Sequence, residues 1–453
     1  MTYQTINPYT GKLVQTFAEH TDSDIERILA SAHAAHATWS ARDVETRSAV
    51  LRRAAALLRT RAHTLAELLT LEMGKLTKDG LGEVELSAAI LEYYADNAAA
   101  FLADRTLTVA SGPARVVTES LGVIFCIEPW NFPYYQLARV TGPNLAVGNT
   151  LVAKHAPNVP QCALAFEQVM HDGGAHGGVY TNVFISNEQA ATVIADKRVR
   201  GVALTGSERA GAAVAAEAGH ALKKSTMELG GSDAFIVLDD ANLDEAARIG
   251  AASRLHNAGQ VCNAAKRFIV EERVADEFIR KFTEAMAAVQ PGDPAKPATT
   301  LQPLNSAPAL ENALAQVRSA VDAGARLVLG GSRTGMQGFF MEPTILTDVS
   351  PENPAYHQEF FAPVAMVFRV SDEEAAVSLA NDSPFGLGAM VMSGDIERAN
   401  RVAARLETGM VFINRGGFSA PDLPFGGVKN SGYGRELADL GFGEFVNKKL
   451  IHA

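Results

Sequence analysis

Cysteine is scarce in this chain. There are three in 453 residues, Cys126, Cys162 and Cys262, at spacings that match no metal-ligand pattern. That argues against a disulfide framework or a zinc site and fits a reducing cytoplasm. No apolar run approaches the roughly 18 residues of a membrane span. Met1 to Thr16 has no basic start leading into an apolar core, so no signal peptide is expected. Blocks of like charge are missing too: the net charge of −11 is spread over intermixed acids and bases, which leaves nothing to attract nucleic acid or an anionic membrane. Internal repeats and low-complexity tracts are also absent.

What is present is enough chain for more than one hydrophobic core, and a change of pattern along it. An extended segment over Ile6 to Phe17 precedes an Ala/Leu-rich stretch, Asp24 to Leu102, whose 3.6-residue periodicity predicts three or four helices. Thr106 to Leu121, with the turn-prone Ser111-Gly112-Pro113, predicts a two-stranded ribbon. From Gly122 on, short β-branched runs alternate with helical stretches: Val123–Phe125, Leu151–Ala153, Val183–Ile185 and Gly201–Leu204. A second series follows Gly231, at Ala234–Leu238, Phe268–Val270, Val364–Val370, Ala389–Met392 and Gly409–Ile413. Such alternation is the pattern of βαβ units, so the expected class is α/β, two parallel-sheet domains in tandem. Gln290 to Thr300 reads as a proline-rich surface loop, and Gly443 to Ala453 as an edge strand.

Three residues carry a chemistry when taken together. Cys262 follows an amphipathic stretch, Leu243 to Leu255, and a break at Asn257-Ala258-Gly259-Gln260, which places it on a loop. It lies 34 residues after Glu228 and 131 after Asn131. A thiol nucleophile, a carboxylate base and an amide donor are what a thioester-forming enzyme requires. Each also has a bland reading: a small buried hydrophobe, a salt-bridged surface acid, a turn asparagine. Gly206 and Ser207, between a strand and a helix, suit an anion at exposed backbone N–H groups, or else Ser207 simply caps the helix. Lys154 ends a strand, where open α/β sheets bind ligands, or is a solvated lysine.

In their order and spacing these residues resemble the aldehyde dehydrogenase superfamily over essentially the whole chain. The motifs are Pro129-Trp130-Asn131-Phe132-Pro133, Lys154, Thr205-Gly206-Ser207, Glu228-Leu229-Gly230-Gly231, Gly259-Gln260-Val261-Cys262, Glu359-Phe360-Phe361-Ala362-Pro363 and Pro424 to Gly432. The resemblance implies two Rossmann-like domains and a bridging β-ribbon. A dinucleotide domain would comprise 1–105 and 122–229, a catalytic domain 230–433, and oligomerisation strands 106–121 and 434–453. It implies Cys262 as nucleophile, Asn131 as oxyanion donor and Glu228 as the base for thioester hydrolysis. Cofactor contacts would fall to Trp130, Asn131, Lys154, His155, Pro157, Gly206, Ser207, Leu229, Glu359 and Phe361. A glycine usual after that phenylalanine is Ala362 here.

NAD-preferring relatives commonly place a glutamate three residues after the lysine; this chain has Pro157 there. With no like charge to repel a 2′-phosphate, and with Lys154 and His155 to attract it, NADP is the expected cofactor, with NAD possible and no metal. The stretches Ala153 to Val159 and Gln260 to Arg267 are similar to the bacterial succinate-semialdehyde dehydrogenases of the shorter type. That similarity gives Arg139 the substrate carboxylate. His256 stands where better-known relatives have a second arginine, and Arg415 and Ser419 are candidates for the remaining contact. Ala264 replaces a cysteine that forms a regulatory disulfide in some members, and the presence of Glu228 points to a free acid rather than an acyl-CoA as product. The alternative is a dehydrogenase of broad specificity for short aliphatic or aromatic aldehydes. A small aldehyde is the expected partner, with assembly as a homodimer or homotetramer.

Overall fold

The computed structural model describes residues 2–453. Its first turn of chain is a hairpin, Tyr3–Asn7 against Lys12–Phe17, where a single extended segment was expected. The Asn7 side chain accepts the Tyr9 N–H at 2.9 Å and closes the turn. Four helices follow, Asp22–Ser40, Val44–Thr60, Ala62–Met73 and Thr77–Phe101, in the span where periodicity predicts three or four. Thr21 and Asp24 form a capping box on the first, Asp43 caps the second, and left-handed Gly74 ends the third.

The first sheet runs Gly432–Tyr433, Lys224–Glu228, Val199–Thr205, Val123–Glu128, Thr150–His155, Tyr180–Asn182. All neighbours are parallel except the first pair. The strand expected at Val183–Ile185 lies three residues earlier. Val183 still donates to the Ala153 carbonyl at 2.8 Å, but Phe184 then turns away to pack on Tyr3, ring centroids 4.6 Å apart. Between the strands Val123–Glu128 and Thr150–His155 runs the helix Pro133–Val147, every residue of which is buried.

The second sheet runs Arg326–Leu329, Thr344–Thr347, Val364–Val370, Ala265–Glu271, Asp233–Val237, Gly388–Met392, Met410–Ile413, parallel but for its first strand. The first two strands escape a reading by pattern because each is only four residues long. The helix Leu243–Leu255 is present, capped by Asn242. Gln290 to Thr300 is irregular, but it is not simply surface. Pro294 is buried and its carbonyl accepts the Thr77 N–H at 3.1 Å, bracing the start of the longest helix.

The ribbon Arg105–Leu107 and Ala114–Ser120 gains a third strand, Val446–His452, at its edge, running from Val446 opposite Ser120 to His452 opposite Ala114. The chain between, at Gly432–Tyr433, edges the first sheet, and Phe442 and Phe445 are buried in that sheet's core. No described helix is long and apolar enough to cross a membrane.

Candidate active site

Cys262 sits just past a short helical turn, His256–Gly259, in which Asn257 and Ala258 are left-handed at φ 52° and 53°. Gly259 follows at φ +78°, and a side chain there would run into the Ala362 carbonyl and the Arg254 guanidinium. Such a run is costly unless tied down. Here Asn257 Nδ2 donates to the carbonyls of Asn131 (3.1 Å) and Gln260 (3.2 Å), and Gln260 Nε2 returns a bond to the Asn257 carbonyl at 2.9 Å. The result presents Cys262, partly exposed, to a cavity of about 390 Å³ that Asn131, Tyr135, His256, Phe418 and Ser419 also line. Its protein surroundings push the thiol up to about 12, against the pull of Lys266 and Arg139.

Asn131 is 4% exposed, and its Nδ2 donates to the Gln260 carbonyl at 3.0 Å. An amide has two N–H groups, so a second is available to an oxyanion. Beneath it lies a buried ion pair that the sequence does not announce, Lys75 with Glu83. Lys75 Nζ donates to the Asn131 carbonyl at 3.0 Å and lies 3.8 Å over the Phe132 ring. Glu83 Oε1 accepts from the N–H groups of Tyr134 (2.9 Å) and Tyr135 (3.3 Å), answering the bare N-terminus of the helix Pro133–Val147.

Glu228 ends the strand Lys224–Glu228 opposite Thr205 and is 2% exposed, which rules out a solvated surface acid. Neither of its carboxylate oxygens has a hydrogen-bond partner among the described residues. Burial, then the charge of Glu436, holds its carboxyl well above the ordinary range, while Arg139 and Arg435 oppose the shift.

Arg139, expected to hold the substrate carboxylate, is among the residues that line the Cys262 cavity. It is 2% exposed and ion-paired with Glu436. Nη1 donates to the Tyr135 hydroxyl at 3.1 Å and Nη2 to Thr205 Oγ1 at 3.0 Å. The Tyr135 hydroxyl in turn donates to Ser419 Oγ at 2.9 Å. Arg139 thus lines the cavity beside the Tyr135 hydroxyl, which relays its bond to Ser419, and its charge is paired with Glu436. His256 lies at the cavity mouth against Phe132, with burial on its inner side and Lys75 lowering its basicity. Arg415 is exposed over Phe418, 5.2 Å from its ring, and lines the neighbouring groove rather than the Cys262 cavity. Lys78, unremarked in the sequence, lines the cavity instead.

On the cofactor side, Lys154, Ile127, Leu204 and Met227 align across the carboxyl ends of four parallel strands, where such sheets take ligands. Lys154 is 5% exposed, makes no hydrogen bond among the described residues, and lies 5.7 Å over the Tyr3 ring. Burial lowers its ammonium to about 8. His155 is corrected: it is fully buried, Nε2 meets the Pro133 carbonyl at 3.2 Å and Nδ1 accepts the Ala156 N–H at 2.9 Å. Burial brings it to about 4, so it offers no positive charge to a phosphate at neutral pH. Pro157 is half-buried, its carbonyl bonded to the Gln4 N–H at 2.9 Å.

Gly206 donates to the Glu228 carbonyl at 2.9 Å, and exposed Ser207 caps the helix Glu208–His220 through the Ala210 N–H at 3.3 Å. Capping and ligand binding at that helix start are compatible, because several N–H groups are unsatisfied there. Leu229 donates its N–H to the Ser431 carbonyl at 3.0 Å, tying the Glu228 strand to the second motif region. Trp130 and Phe361 meet edge to face at 5.7 Å. Ala362 has no positive φ, so alanine is unstrained in place of glycine. Glu359 Oε1 accepts the Gly231 N–H at 3.2 Å and pairs with Lys266 at 3.0 Å. Lys266 itself, fully buried, was not legible from the sequence.

Two largely parallel α/β sheets with a partly exposed thiol opening into a cavity suit an enzyme that works on a carbonyl carbon. Residues 1–451 match the model of the aldehyde dehydrogenase family, and the chain belongs to that family. It is 51% identical to a succinate-semialdehyde dehydrogenase [NADP(+)] of Deinococcus radiodurans over 100% of this chain and 94% of that one. A succinate semialdehyde dehydrogenase [NAD(P)+] of Escherichia coli is 42% identical over 98% and 96% of the two chains. The succinic semialdehyde dehydrogenase of Streptococcus pyogenes, solved in complex with NADP+, superimposes with a TM-score of 0.98 at 49% identity, covering 100% of this chain and 99% of that one.

Removing one partner of a buried ion pair leaves the other charge uncompensated. Lys75→Met is therefore expected to lower unfolding free energy by about 3–5 kcal/mol in urea titration. A loss below about 1 kcal/mol would show that the pair does not hold the start of the Pro133–Val147 helix.

Proposed function

We propose that the protein oxidises succinate semialdehyde to succinate with NADP as its preferred cofactor and NAD as a second. The observation that carries this is that Cys262 and Asn131 open into one cavity in which Arg139 backs the Tyr135 and Ser419 hydroxyls. Relatives named for that reaction support the substrate.

Cys262 Sγ, once ionised, attacks the aldehyde carbon. The carbonyl oxygen becomes an oxyanion, received by Asn131 Nδ2 and the Cys262 backbone N–H. Conversion of the thiohemiacetal to a thioester expels hydride, for which a bound nicotinamide cofactor would supply the acceptor. Glu228 accepts a proton from water, and the hydroxide formed cleaves the thioester, releasing succinate and the thiolate. Because Glu228 is held toward its protonated form, it must ionise first, and the raised basicity then favours proton abstraction from water. At the far end of the cavity the substrate carboxylate meets the Tyr135 and Ser419 hydroxyls, polarised by the cation behind them, with Lys78 and His256 at the mouth. The residues also fit the cofactor: Lys154 is a buried ammonium without a hydrogen bond among the described residues, at the carboxyl end of its strand where ligands bind, with Glu19 favouring its charge and no carboxylate at position 157.

Steady-state kcat/KM for succinate semialdehyde, glutarate semialdehyde and butanal, each with NADP and NAD, tests the reading. Succinate semialdehyde with NADP is expected to be best, and Ser419→Ala is expected to raise KM for it and leave butanal unchanged. Butanal turned over equally well would favour a dehydrogenase of broad specificity.

NADP affinity is expected to fall with alkaline pH. Lys154 carries its charge below about 8. Above that value free protein must take up a proton to hold the phosphate, so Kd rises toward about tenfold per pH unit. A Kd that stays flat from pH 7 to 9 would remove Lys154 from phosphate binding.

A cytoplasmic homodimer or homotetramer is part of the same proposal. The strand Val446–His452 leaves one edge unpaired and exposes Leu450 (61%) and Ile451 (40%). Light scattering is expected to give two or four times 48.1 kDa; a monomer would contradict it.

A further inference from the structure

We propose that Lys266 is a positioning residue that holds the nucleophile loop and the cofactor carboxylate Glu359 in register and faces its charge toward the Cys262 thiol. The Glu359 half rests on the reading of Glu359 as a cofactor ligand; the thiol half does not. An ammonium has three donors, and all three are committed. Lys266 Nζ donates to the Cys262 carbonyl at 2.6 Å, to the Val261 carbonyl at 2.9 Å and to Glu359 Oε1 at 3.0 Å. Glu359 Oε1 also receives the Gly231 N–H at 3.2 Å, whereas Oε2 carries no protein hydrogen bond among the described residues. Lys266 therefore occupies one carboxylate oxygen and leaves the other for a ligand hydroxyl.

The junction is tight. A Cβ on Gly231 would lie 2.7 Å from the Cys262 carbonyl oxygen, and Lys266 Nζ lies 6.0 Å from the Phe361 ring, on the loop that carries Glu359. One fully buried cation thus connects the two loops that must bring thiol and hydride acceptor together. Four charged groups bear on the thiol: Lys266 and Arg139 favour its ionisation, and Glu359 and Asp233 oppose it. Of the two cations, Lys266 pulls harder. Arg139 is paired with Glu436, and Lys266 with Glu359, so Glu359 partly masks the charge on which thiol ionisation depends.

The test is the second-order rate of Cys262 alkylation by iodoacetamide from pH 7 to 9, followed by mass spectrometry at Cys262, together with NADP titration. Removing a like-placed cation shifts a neighbour by roughly a pH unit or more. Lys266→Met is expected to slow alkylation about tenfold at pH 8 and to weaken NADP about tenfold, as for a lost hydrogen bond to a charged group. Lys266→Gln, which keeps two donors and no charge, serves if the methionine variant does not fold. Glu359→Gln should move alkylation the other way, faster, by unmasking Lys266. A purely structural lysine predicts the opposite for Lys266→Met, since a loosened loop exposes the thiol and speeds alkylation. Unchanged or faster alkylation in folded Lys266 variants would overturn the proposal. Failure of the wild-type protein to bind NADP would count against the cofactor reading, and the alkylation arm would still decide the role of Lys266.

Discussion

A helix with no face toward water imposes the constraint on which the rest of this structure turns. Pro133–Val147 is buried along its whole length, so the polar groups it carries depend on protein partners, Thr141 Oγ1 being left without one among the described residues. Glu83 answers its N-terminal N–H groups, Lys75 neutralises Glu83 and reaches back to the Asn131 carbonyl, and Glu436 answers Arg139. Asn131 is therefore held by the same bonds that make the burial of the helix tolerable.

Low dielectric surroundings act on the chemistry as well as on the fold. Glu128, Glu228 and Glu436 crowd around Arg139, and burial drives all three toward their protonated forms. Arg139 eases ionisation of Glu228 and of the Cys262 thiol alike. One buried arginine on the cavity wall thus bears on Cys262 and Glu228 together.

What was legible in the sequence was local or motif-borne. Helix periodicity from Asp24 to Leu102 and the break before Cys262 follow from nearest neighbours along the chain, and both appear. The misreadings share a cause. Phe184 leaves the sheet because Tyr3 and Phe17 draw it away, and His155 is neutral because the fold buries it completely. Lys75, Glu83 and Lys266 were invisible for a related reason: a buried, fully paired charge has the same letter as a solvated one, and its partners are set by tertiary contact.

The return of the C-terminal segment also fixes an order of events. Chains emerge from the ribosome N-terminus first, and domains tend to fold as they appear. Arg139 is synthesised long before Glu436, and Ala114–Ser120 long before Val446–His452. The Arg139 pair therefore cannot form until the segment that follows the second sheet has been made. A chain truncated after the second sheet would lack both the partner of Arg139 and the third strand of the ribbon.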